Sequence, residues 1–190
     1  MQKPRELSPL LWMVEERRPQ SVLEIGTHAG GTLYCWCRLA APDATIVSID
    51  LPGSKFGGGY TPERAEEMRT LFPANGQALH LLASDSHSPD TLAELRSHVD
   101  GVDFLFIDGD HTYEGVKRDF EMYAPLVPAG GLIALHDISE HPPETGSEVD
   151  VFWREIRDSY EHEEFISPHT TWGGIGVLRV ERRIIATERA

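Results

Sequence analysis

Short apolar runs alternate along this chain with longer stretches of helical period. Residues 21–25, 45–49, 78–82, 102–107 and 132–135 are brief and nearly continuous in apolar side chains. Such runs suit strands buried on both faces. Between them, 31–40, 62–71, 89–99 and 113–123 have the length and spacing of helices. Strand and helix in turn predict a parallel sheet joined by right-handed crossovers. Ahead of the first strand, 9–17 reads as a covering helix with Leu10, Leu11 and Val14 turned inward, so residues 1–20 form an N-terminal cover.

After the fifth strand the rhythm changes. A helix is expected over 148–159, a strand over 161–166, then the turn-rich "SPHTTWGG" and a last strand over 175–180. That final pair can close as an antiparallel hairpin against the parallel sheet. Neither a repeat nor a compositional break interrupts the 190 residues, which predicts a single domain.

Acids gather where the strands end. Glu24 lies near the end of the first strand, Asp50 ends the second, and Asp85, Asp108 and Asp137 follow the third, fourth and fifth. In an open parallel sheet, ligands bind beyond those C-terminal ends, where the strand order reverses. One such acid would be an ordinary helix cap. Five along one edge favour a polar site. The two loops emerging there, 51–60 with its four glycines and 139–147, are candidates to cover the cofactor and border an acceptor, or are plain surface loops.

The first turn, "LEIGTHAGGT", narrows the cofactor. His28 stands where a dinucleotide fingerprint needs its second glycine, and no Gly-Lys-Ser/Thr of a phosphate loop occurs. Glu24 beside the turn would repel a pyrophosphate and favour a cationic ligand. Asp50, twenty residues past Gly30, is placed to accept from ribose hydroxyls. A tight turn with no cofactor remains the plain alternative at this point.

With "VLEIGTHAGGT", "IVSIDLPG", "LLASDSHS", "FLFIDGDHTYEGVKRDFEMYAPLVPAGGLIALHDI" and "GGIGVLRV" together, the chain resembles the class I S-adenosylmethionine-dependent methyltransferases. More narrowly, it is similar to the small-molecule enzymes grouped with cephalosporin hydroxylases and macrolide-sugar O-methyltransferases. The resemblance implies a Rossmann-like, doubly wound α/β fold with a seven-stranded mixed sheet and an antiparallel last strand. It implies S-adenosylmethionine at Glu24, Gly26, Thr27, Gly30, Asp50 and Leu51, with Asp85 and Ser86 against adenine and Asp108 beside the reacting end. Metal-dependent relatives bind magnesium at the places of Asp108, His136 and Asp137. Here His136 replaces an acid, which moves preference toward manganese, iron or zinc.

His111 has two readings. It is a local histidine at a helix start, or, as the resemblance implies, the general base for a hydroxyl acceptor. An ordinary imidazole pKa of about 6.5 suits proton transfer near neutrality. Asp110 is expected to cap the helix that follows, Asp119 and Glu121 to face solvent, and His141 and His169 to rank below His111 as bases or ligands. Trp12, Trp36 and Trp153 are expected in core or interface positions.

The formal net charge of −14, with three lysines, argues against a nucleic-acid partner. No apolar run is long enough for a membrane span. Cys35 and Cys37, two apart, fit a reduced cytoplasmic protein. The expected activity is methyl transfer to a hydroxylated small molecule, a sugar or natural product, with an oligomer completing the pocket. An NAD-dependent oxidoreductase and a noncatalytic S-adenosylmethionine-binding module are the alternatives.

Overall fold

A computed structural model describes residues 2–53, 58–74, 76–168, 172–182 and 184. Seven strands form one sheet: β1 (Ser21–Ile25), β2 (Thr45–Asp50), β3 (Ala78–Ala83), β4 (Phe104–Ile107), β5 (Leu132–His136), β6 (Glu161–Phe165) and β7 (Ile175–Arg179). Their order is β3-β2-β1-β4-β5-β7-β6, with β1 to β5 parallel and β7 antiparallel to both neighbours. Order reverses between β1 and β4, so the binding crevice expected of such a sheet lies at their C-terminal ends.

Because side chains alternate across a strand, each strand feeds two cores. Phe104 and Phe106 join Val22, Ile46, Leu33 and Trp36 on one face; Leu105 and Ile107 join Leu23, Val47, Val116 and Phe120 on the other. The first face is covered by α1 (Pro4–Arg17), α2 (Gly31–Leu39) and α3 (Pro62–Leu71), as shown by Leu10, Leu33 and Met68 in that core. The second is covered by α4 (Pro89–His98), α5 (Tyr113–Tyr123) and α6 (Val149–Ile156), through Leu95, Phe120 and Phe152.

Three details differ from the pattern-based expectation. Helix α1 starts at Pro4 rather than residue 9, since proline is pre-set for the first helical turn and Pro9 is accommodated inside. The cap of α5 is Thr112, whose hydroxyl accepts from the Gly115 N–H at 3.1 Å, while Asp110 accepts from Thr112 N–H just outside the helix. Asp119 is fully buried, not solvent-facing. It shares the inward stripe of Val116, Phe120 and Tyr123, and the His87 Nε2 3.3 Å away offsets its charge. Trp36 and Trp153 are core residues, whereas Trp12 is 73% exposed. No described helix is long and apolar enough to cross a membrane. His169 lies outside the described residues.

Candidate active site

The turn after β1 sets the crevice. Gly26 adopts φ +85°, and a β-carbon there would stand 2.1 Å from the Asp108 carbonyl oxygen. Only glycine lets the end of β4 approach this closely. Gly30 also has positive φ, at the start of α2. Two non-glycine residues at this edge, His28 at φ 46° and Asp137 at φ 63°, are held in the left-handed region as well. Backbone strain of this sort clusters at working sites.

Asp50 ends β2 with Oδ2 accepting from the backbone N–H groups of His28 (3.1 Å) and Gly59 (2.9 Å). One carboxylate thus ties the glycine turn to the far end of the 51–60 loop, of which 54–57 lie outside the described residues. Leu51 follows it, half exposed. Glu24 lies deeper. It is fully buried and accepts from Trp36 Nε1 at 3.0 Å and Thr27 Oγ1 at 3.1 Å. Burial, and secondarily the Asp108 charge, outweighs these hydrogen bonds and raises its pKa to about 7. Thr27 also contacts Ser48, which meets the Tyr60 hydroxyl at 2.7 Å.

Past β3, Asp85 is exposed and accepts from the His87 N–H at 2.8 Å. The Ser86 carbonyl accepts from Tyr123 Oη at 2.6 Å. These residues line the strand edge on the other side of Asp50 from His111.

The densest cluster lies past β4 and β5. His111 Nε2 is 3.3 Å from Asp108 Oδ1, and its Nδ1 is 3.5 Å from Asp137 Oδ2. His136 Nδ1 meets the same Asp108 oxygen at 3.0 Å and Asp137 Oδ1 at 3.2 Å. His141 Nε2 stands 3.4 Å from Asp137 Oδ1. Burial works against charge on His136, but the two carboxylates overcome it and push its pKa up to about 10. Burial likewise opposes, and the carboxylates again win, at His111, whose pKa is raised. Asp108 and Asp137 are correspondingly held below the usual carboxylate range despite burial. The two carboxylates thus favour the imidazolium form of both histidines, most strongly at His136.

Ligand atoms of Asp108, His111 and Asp137 all fall within 4.8 Å of one another. The set thus includes His111, which the sequence suggested as base, whereas His136 hydrogen-bonds to Asp108 and lies within ion-pair distance of Asp137. Gln2 was not anticipated: its Nε2 donates to Asp108 Oδ2 at 2.8 Å, a contact across 106 positions that no local motif signals. His141 was legible, four residues past Asp137, but the loop's return onto the cluster was not. Beyond His141, a groove of about 610 Å³ opens between Ile138, Pro142, Trp153, Arg157 and Ile166.

Strand order, glycine turn and acidic edge define the class I S-adenosylmethionine-dependent methyltransferase fold. Residues 23–138 match the methyltransferase-domain family, and the chain belongs to it. An uncharacterized protein of Sinorhizobium fredii is 30% identical over 152 residues, 77% of this chain and 16% of that protein. The chain spans 55% of a second curated relative, from Acanthamoeba polyphaga mimivirus. Two solved structures share the fold at low identity. The O-methyltransferase TomG of Streptomyces achromogenes, involved in tomaymycin synthesis and bound to S-adenosylmethionine, is 18% identical with a TM-score of 0.63, covering 93% of this chain and 78% of that one. CalS11, a TDP-rhamnose 3′-O-methyltransferase of calicheamicin biosynthesis, is 17% identical with a TM-score of 0.62, covering 91% and 77%.

Proposed function

We propose that this chain transfers the methyl group of S-adenosylmethionine to a hydroxyl of a small molecule, a sugar or another natural product. The observation carrying the reading is the His111 ring held between Asp108 and Asp137 at the crevice edge. Gly26, Thr27, Gly30, Asp50 and Leu51 would hold the cofactor's amino-acid and ribose parts, with Asp85 and Ser86 toward its base. Bound there, the cofactor supplies a methyl group already activated by its sulfonium.

What remains for the protein is to remove the hydroxyl proton and align the oxygen. Asp108 would hold His111 Nε2–H, leaving Nδ1 to take the proton on the Asp137 side. The imidazolium so formed is stabilised by both carboxylates, the logic by which an acid orients a catalytic histidine. With the methyl group passed to the acceptor oxygen, the proton lost by the hydroxyl would rest on His111. The groove past His141 offers room for the remainder of the acceptor. The named activities of TomG and CalS11 support a hydroxyl on a natural product or its sugar.

A divalent cation is a second reading, favoured by the grouping of Asp108, His111 and Asp137. Two carboxylates and one imidazole fit manganese, iron or zinc better than magnesium, whose preference is oxygen. Such an ion would acidify the hydroxyl, with these three side chains holding it.

Both readings are tested with radiolabelled S-adenosylmethionine and a panel of hydroxylated glycosides and phenols, with and without chelator. His111→Ala should keep cofactor affinity and lose roughly ten- to ten-thousandfold in turnover, the range for general-base loss. Near-parental turnover by that variant would return His111 to a structural role. Full turnover after chelation would sink the cation.

A further inference from the structure

Asp108 is gripped on both oxygens. Oδ1 meets His111 at 3.3 Å and His136 at 3.0 Å, while Oδ2 accepts from Gln2 Nε2 at 2.8 Å. The terminal torsion of an aspartate is broad and soft. Without a partner on Oδ2, only the two histidine contacts on Oδ1 would resist rotation of the carboxylate away from the His111 ring. The Gln2 amide makes that one contact: its Oε1 is buried and has no hydrogen-bond partner among the described residues.

Gln2 is delivered to this place by a fastened segment. Lys3, next along, is the extended N-cap of α1. Its Nζ bonds the Trp172 carbonyl, lies 4.0 Å from the Trp172 ring centre, and is 3.6 Å from Glu6. Glu6 is fully buried and accepts from the Ser167 and Gly174 N–H groups, both at 3.0 Å. The carbonyl of Gly174 in turn accepts from Asp137 N–H at 2.9 Å. One short loop before β7 therefore seats Asp137 on one side and the segment bearing Gln2 on the other.

We propose that Gln2 is a positioning residue of the transfer centre, acting through Asp108 to keep His111 where it can take the acceptor proton. The inference rests on the reading of Asp108 and His111 as that centre. Gln2 does not touch the reacting atoms. It orients a group that does, the kind of supporting contact whose loss costs function without loss of fold.

The test uses the full chain and needs no acceptor. Imidazole nitrogen resonances are followed by NMR at one fixed pH in the parent, Gln2→Ala and Gln2→Glu. Glutamate keeps the shape of Gln2 but brings no N–H and adds a like charge beside Asp108. Both variants should shift the His111 and His136 ring signals and leave those of the stacked His80–His98 pair in place, and Gln2→Ala should melt at the parental temperature. Unmoved His111 and His136 signals in both variants would overturn the proposal. So would a shift in Gln2→Ala alone, since an isosteric rescue without the N–H means packing rather than hydrogen bonding. Loss of the centre's assignment shows separately, as retained turnover in His111→Ala.

Discussion

At Glu24 a single buried proton couples stability to pH. Its folded pKa of about 7 lies above the ordinary 4.5 because the carboxyl is desolvated, with the Asp108 charge adding to the effect. The folded chain then binds more protons than the unfolded chain between those two values. Stability from this group is greatest below about 4.5, falls as pH rises toward about 7, and is level above it. The full difference is roughly 3 kcal/mol. Glu24→Gln can still accept from Trp36 Nε1, and its amide can face Thr27. Urea unfolding at about pH 5 and about pH 8 should show the parent losing more stability between the two than the variant, because the raised pKa values of His136 and His111 make both lose some above about 6.5. An equal slope in both would mean that Glu24 is ionised throughout. Asp119 shows the opposite side of residue-scale legibility. Its position on the inward stripe was computable from Val116 and Phe120, yet an acid there reads as solvated until His87 is seen beside it.

Among the elements, the turn between β1 and α2 makes the sharpest demand. Gly26→Ala would combine a left-handed alanine, about 1–2 kcal/mol, with a clash against the backbone of Asp108 that no side-chain movement relieves. Overpacking of this sort adds about 1–3 kcal/mol. Chemical denaturation should therefore show a loss of at least about 2 kcal/mol, with S-adenosylmethionine binding lost in calorimetry. Gly31→Ala is the control: it opens α2, nothing lies within 4 Å of the added carbon, and it should be neutral or slightly stabilising. Strands and helices were legible because buried parallel strands are apolar without alternation. The acids at their ends were legible for the same reason, since each follows directly on such a run. That Asp108 and Asp137 meet was implied by the family resemblance rather than by the pattern, since it is the register of β4 on β5 that brings them together.

For the whole molecule, the interlocking of the two ends around the site is what sequence pattern could not display. Glu6 carries most of it, as a buried carboxylate satisfied by two backbone N–H groups and Lys3. The backbone donors and Lys3 keep its pKa lowered against burial. Glu6→Ala leaves two buried N–H groups unpaired, each costing about 1–3 kcal/mol. The expected result is a drop of several degrees in melting temperature, together with His111 ring signals displaced as in Gln2→Ala. A destabilised variant with undisturbed His111 signals would show that the latch serves stability alone.

The insertion of β7 between β5 and β6 also fixes when this site comes into being. During synthesis β1 to β5 leave the ribosome first and can pair in order, each with a strand already made or soon to follow. Strand β6 cannot join on emergence, because among the described residues its strand partner is β7. Until Gly174 and β7 arrive, β5 is an open, apolar edge, a template for pairing with another nascent chain. Asp137 also lacks the carbonyl that anchors its N–H, and Glu6 lacks the second of its two backbone donors. The edge past β5 is thus the last part of the fold to be assembled, and a chain halted before residue 174 would hold five paired strands without the contacts that seat Asp137 and complete the partners of Glu6.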